Sequence, residues 1–119
     1  MAVRYEDGKT PKGNPVLKMF VSGTCDLTEA RSMLEHIDAG RRFHGGLVLV
    51  YVAAGTEYTP DARKFFPTTV GKHKAMATVV TSAIVRAAIN LMLRVSGGNK
   101  GFKMFSDEAA ALAWLDGWA

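Results

Sequence analysis

Gly45-Gly46-Leu47-Val48-Leu49-Val50-Tyr51-Val52 is the stretch on which the fold turns. Six consecutive apolar, mostly β-branched or leucine residues follow a glycine pair. A strand with one wet face would alternate, whereas this one is apolar at every position, so both of its faces must be covered, as in a parallel sheet. Working outward, Pro15–Ser22 and Met76–Thr81 read as further strands, and Gly101–Phe105 as a last short one whose Lys103 suits an edge. Asp7–Gly13 is turn chemistry, which makes Ala2–Tyr5 a hairpin partner for the strand at Pro15.

Helical periods fill the intervals. Asp26 is an N-cap with Glu29 three residues on, followed by Leu27, Ala30, Met33, Leu34 and Ile37, and Gly40 stops the helix. Thr59-Pro60-Asp61 starts a second helix that ends near Pro67. Ser82 caps a third, through Val95, closed by Gly97-Gly98. Ser106 caps a fourth, Asp107–Trp118. The order β, β, α, β, α, β, α, β, α predicts one α/β domain over residues 1–119. Its mostly parallel sheet has four or five strands, an antiparallel N-terminal edge strand and about four helices.

Composition narrows the function classes. The 119 residues are 48% hydrophobic and 22% charged, which excludes disorder, collagen and a coiled coil. Cys25 is the one cysteine, so no internal disulfide forms, and the ligands for a structural zinc are lacking. The N-terminus carries no apolar signal region, and no apolar run reaches about 18 residues. The expectation is a cytoplasmic protein with no transmembrane segment. Net charge is +4, and residues 62–106 hold eight bases and no acid, while the flanking segments are acidic. Such a block attracts anions only if its bases share a face. Scattered around three elements, they would simply meet the acids of their neighbours.

Each residue with possible chemistry also has a structural role. Thr59 could carry a phosphate at a helix N-terminus, but plain capping explains it as well. His36, His44 and His73 lack carboxylates at ligand spacing, and His73 lies between lysines. Cys25 has no base beside it, and Asp26 disfavours its thiolate. The glycines match no phosphate loop. No catalytic, cofactor or metal residue emerges, and no cofactor is expected. The third helix stands out: its polar positions are Ser82, Arg86, Asn90 and Arg94 alone, four residues apart. The apolar arc left over is wider than one sheet face requires. Arg86, Ile89, Asn90, Leu93 and Arg94 are therefore the candidate contact surface.

Three stretches resemble a family. Thr59–Arg63, Ala77–Arg86 and Lys103-Met-Phe-Ser-Asp-Glu-Ala-Ala-Ala-Leu-Ala-Trp-Leu115 are similar to the uncharacterised bacterial STAS-like proteins, relatives of anti-sigma-factor antagonists and CRAL-TRIO domains. The closing Phe-Ser-Asp-Glu-x-x-Ala-Leu-x-Trp-Leu pattern is the most specific part. The resemblance covers the chain from about residue 15. It implies small modules that bind proteins, nucleotides or lipids, usually without catalysis. Family members switched by phosphorylation carry Asp-Ser-Ser-Gly or Asp-Ser-Thr-Gly at the second helix; here the stretch is Glu57-Tyr-Thr-Pro-Asp61. Thr59 stands at the hydroxyl's place without the flanking Asp and Gly. The sequence thus points to a non-catalytic regulatory or protein-interaction module that binds a protein partner or a second copy of itself. An apolar small molecule or lipid on the third helix is the alternative. Nucleic-acid binding through residues 62–106 is the weaker one, with Phe65 and Phe66 as the aromatic residues that could stack bases.

Overall fold

The computed structural model describes residues 3–35, 46–65, 75–94 and 102–118, with side chains for all of these except 91–94. At its centre the apolar run forms strand β4, Leu47–Val52. β4 pairs in parallel with β2 (Pro15–Val21) on one side and β6 (Ala75–Val80) on the other. β1 (Val3–Lys9) pairs antiparallel with β2, and β7 (Phe102–Phe105) pairs parallel with β6. The sheet order is β1-β2-β4-β6-β7, which puts Lys103 on an edge strand as its charge required. The helices are α1 (Leu27–Glu35), α2 (Pro60–Phe65), α3 (Ala83–Arg94) and α4 (Glu108–Asp116).

Each crossover from β2 to β4 to β6 to β7 steps the same way across the sheet. Right-handed connections then place the intervening helices on one face. That face holds Leu17, Met19, Val21, Val48, Val50, Val52 and Val80 against Met33 of α1 and Val85 and Ile89 of α3. The other face, with Val16, Leu47, Leu49, Ala75 and Ala77, is left to α4, which meets it with Ala111 and Leu115. The small residues Ala75 and Ala77 on β6 let α4 approach the sheet closely.

The sheet is wider than one helix, and across β1, β2 and β4 the α4 face carries a different kind of surface. Register aligns Arg4, Phe20, Tyr51, Val79 and Phe105 in a row across all five strands. Phe20 and Tyr51 stack at 4.6 Å between centroids, and the Arg4 guanidinium lies 4.3 Å from the Phe20 centroid. One position along, the Lys18 stem crosses Gly8 so closely that a Cβ there would lie 2.6 Å from Cε. The apolar stem covers sheet while its ammonium reaches Glu108 at 3.4 Å.

Three boundaries differ from expectation. β1 runs through Lys9, and the turn is Thr10–Asn14: Thr10 N–H donates to the Asn14 carbonyl at 2.9 Å, and Gly13 takes φ +86°. Cross-strand pairing carries Asp7 and Gly8 past their turn preference. The cap of α4 is Asp107, whose carboxylate accepts from Ala110 N–H at 2.8 Å, and not Ser106. A short parallel pair, β3 (Thr24–Cys25) with β5 (Glu57–Tyr58), was not foreseen. The end of the first helix at Gly40 and the stop near Pro67 lie outside the described residues.

Leu49 is fully buried between β2, β6 and α4. Truncating it to Ala should lower unfolding stability by about 2–5 kcal/mol, measured by urea denaturation. A loss under about 1 kcal/mol would show that β4 is not the central strand.

Candidate functional site

The loops at the carboxyl ends of the strands bring Cys25, Asp26 and Thr59 together at one end of the sheet. β3 and β5 join two of these loops: Glu57 N–H donates to the Gly23 carbonyl at 2.9 Å, and Thr59 N–H to the Cys25 carbonyl at 3.1 Å. The starts of α1 and α2 are thereby held side by side. Asp26 caps α1 as read, accepting from Glu29 N–H at 2.9 Å.

Thr59 is half-buried at the start of α2. Its Oγ1 accepts from Ala62 N–H at 3.4 Å and its hydroxyl donates to the Asp61 carboxylate. Asp61 also accepts from Ala62 N–H at 2.9 Å, so the cap is shared between two side chains. The Thr59 hydrogen bond, chiefly, holds the Asp61 carboxyl below its ordinary range. A phosphate here would face that carboxylate. Cys25 is fully buried, and burial first, then Glu29 and Asp26, push its thiol up to about 11.

On α3 the structure divides the candidates. Ile89, expected on the contact surface, is instead 4% exposed and packs with Val85 in the sheet core. Helix position 89 follows 85 by one turn, so both face β6. Arg86 is half-buried and folds back: Nη2 donates to the Val80 carbonyl at 3.0 Å and to Ser106 Oγ at 3.4 Å. It ties the end of β6 to the segment entering α4. Asn90 is exposed. Leu93 and Arg94 end the helix, and their side chains lie outside the described residues. Among the described residues the large apolar side chain that does face water is Ile84, 84% exposed, with Ala83, Ala87 and Ala88 exposed beside it. Its signal was in the sequence: 84 lies one residue before 85, about 100° around the helix from the core stripe.

The basic segment does not form one face among the described residues. Arg63 Nε donates to the Tyr58 carbonyl at 2.9 Å, Arg86 is tied as above, and Lys103 lies 5.4 Å from the Phe105 ring centroid. Phe66, Lys72, Lys74 and Lys100, like His36, His44 and His73, lie outside the described residues. Among the described residues no three His, Cys, Asp or Glu side chains gather as a metal site, and no helix is long and apolar enough to cross a membrane.

Both ends of α4 are tied by carboxylates to the β1–β2 hairpin. Glu108 accepts from Lys18, and the Tyr51 hydroxyl bonded to it, chiefly, holds its carboxyl below the usual range. Asp116 accepts from Asn14 Nδ2 at 2.8 Å and Lys12 N–H at 3.2 Å. Desolvation acts to raise the Asp116 pKa, and these bonds together with one from Thr10 outweigh it.

A single-wound α/β sheet with an antiparallel first strand and a C-terminal helix on its second face has the SpoIIAA-like fold. Within that class the chain belongs to the family described as "Domain of unknown function (DUF7793)", matched over residues 17–119. Among solved structures it is similar to an uncharacterised protein of the DUF3478 family with a SpoIIAA-like fold from Shewanella loihica PV-4. That likeness has a TM-score of 0.66 and 18% identity, covering 96% of this chain and 94% of the other. No curated protein matches.

Two measurements check this end of the sheet. Thr59→Ala should destabilise by about 0.5–1 kcal/mol, since Asp61 retains part of the cap, while Thr59→Ser is nearly silent by thermal melting. Stoichiometric phosphate at Thr59 in protein from its native cell would contradict a pure capping role. With its pKa raised, Cys25 should stay almost wholly protonated at pH 8. Its alkylation should be slower than in the urea-unfolded chain by on the order of 100-fold or more. Equal rates would place the thiol in solvent.

Proposed function

We propose that this is a single-domain, non-catalytic regulatory module that works by binding a protein partner, with the outer face of α3 as the contact. One observation carries the reading: Ile84 stands in water on α3, flanked by Ala83, Ala87 and Ala88, with no acid or base among those four. Water on such a surface is unfavourable by about 25 cal/mol per Å² of apolar area, which a partner would recover. Asn90, exposed next to Ala83 and Ala87 around the helix, supplies a polar group at its rim. The burial of Ile89 reduces what α3 can offer a lipid, because its apolar side chain is already committed to the core. The STAS-type fold supports the non-catalytic role by analogy only.

Ile84 is the residue to test, since changing it leaves the core untouched. A photo-crosslinking residue at 84, introduced in the native cell, should give one discrete protein adduct. The same probe at exposed Lys64 should not. Ile84→Glu should leave the melting temperature within about 2 °C of wild type, as expected for a surface change. It should also abolish co-purification of the adduct's protein. Identical adducts from both positions, or binding to vesicles in place of a protein, would overturn the reading.

A further inference from the structure

Among the described residues the buried polar side chains are those of Thr10, Thr56 and Thr78. Two of them are satisfied. Thr10 Oγ1 accepts from Asn14 N–H at 3.0 Å, and the Thr56 hydroxyl donates to the Ala53 carbonyl at 2.6 Å. Thr78 is the most enclosed, 3% exposed, and its hydroxyl has no hydrogen-bond partner among the described residues. A buried hydroxyl left unpaired carries its desolvation cost in full, and valine would fill the same space without one. Folding alone gives no reason for a threonine in this position.

Its surroundings decide what the hydroxyl can meet. Thr78 stands within β6 on the face toward α1 and α3, between Met76 and Val80. Register puts Val50 of β4 on one side of it and Met104 of β7 on the other, with Phe102 beside Met76. Val85 and Ile89 of α3 pack in the same layer. All of these neighbours are apolar. Val50, Val80, Val85 and Ile89 are buried, whereas Met76, Phe102 and Met104 are half-buried, so the cover thins toward the β7 edge. Methionine side chains are unbranched with three rotatable bonds and adapt their shape to what lies against them. An apolar wall carrying one buried polar group is how a small-molecule site fixes the orientation of its ligand. Charge narrows the class further. Arg86 is committed to the Val80 carbonyl and Ser106, and Lys103 lies against Phe105, whose ring packs in the opposite layer. These bases of α3 and β7 are thus unavailable to a carboxylate or phosphate beside Thr78, where an unpaired charge is costly.

We propose that the layer between α3 and the β7 side of the sheet binds a neutral, apolar small molecule with one carbonyl or hydroxyl group, which bonds to the Thr78 hydroxyl. The apolar body of the ligand lies against Met76, Phe102 and Met104. A ketone accepts from the threonine hydroxyl, and an alcohol donates to its oxygen. This site is on the inner side of α3, with Val85 and Ile89, and does not depend on the outer face that carries Ile84.

The test uses cyclohexanone as the probe and the methionine methyl resonances of isotope-labelled protein as reporters. Titration should shift the Met76 and Met104 methyls saturably and leave that of Met19, buried on β2, in place. Cyclohexanecarboxylate should bind at least about tenfold more weakly than the ketone. Thr78→Val should melt at or above the wild-type temperature, because an unpaired hydroxyl is removed. The same variant should bind cyclohexanone about tenfold more weakly, the worth of one hydrogen bond. The absence of a saturable shift overturns the proposal, as does an equal shift at Met19. So does a Thr78→Val protein that melts more than about 5 °C below wild type, which would mean that the hydroxyl is bonded within the fold. Unchanged ketone binding by that variant, or carboxylate binding as tight as the ketone's, overturns it too. Ile84→Glu should leave the shifts intact; their loss would place the ketone on the outer face of α3 and show the inner site to be wrong.

Discussion

The structure depends on β4 being dry on both faces. A hydrogen-bonded strand with Val48, Val50 and Val52 on one side and Leu47 and Leu49 on the other can exist only between two layers. Each layer must come from a chain of 119 residues. The parallel pairing on both flanks of β4 follows from that demand, since helices are what connect parallel strands and what cover them. Everything else in the fold is arranged around meeting it with little material.

The winding meets it unevenly. Because the order β2-β4-β6-β7 never reverses, the crossover helices gather on one face, and among the described residues the second face is covered by α4. That explains why α4 is tied at both ends, through Glu108 to Lys18 and Tyr51 and through Asp116 to the Thr10–Asn14 turn. It also explains why the same face, away from Ala111 and Leu115, carries Arg4, Glu6, Lys18, Phe20 and Tyr51 in place of aliphatic residues. Side chains there need an apolar body against the sheet and a polar end in water. The absence of a reversal has a functional side too. Doubly wound sheets bind ligands in the crevice at their switch point; the order of the five described strands has none.

The basic residues show how formal charge misleads without geometry. Arg63 and Arg86 both spend donors on main-chain carbonyls at the ends of neighbouring segments, Tyr58 and Val80. Guanidinium groups in those positions stabilise loop ends and offer less to a phosphate chain than a count of eight bases suggests. Arg86 in particular links the end of β6, the third helix and Ser106, so it belongs to the frame that presents the outer face of α3.

Much of the fold was legible in the residues, because burial on two faces, capping and helical period each leave a local signature. The run at Leu47, the caps at Asp26 and Thr59, and the charge of Lys103 required no knowledge of what lay beside them. The order of the five-stranded sheet's strands and helices followed from their sequence along the chain. What tertiary structure decided was everything set by neighbours distant in sequence. β1 reaches Lys9 because Lys18 needs Gly8 beneath it and Val16 needs a partner. Serine 106 loses the cap to Asp107, and its hydroxyl accepts from Arg86 twenty residues away. Periodicity named an apolar arc on the third helix but could not say which part of it the sheet would take. That β6 takes Val85 and Ile89 and leaves Ile84 outside depends on how the helix is rotated over the strand. Rotation of this kind is fixed by packing, a property of pairs of elements, and a one-dimensional pattern carries only the properties of single ones.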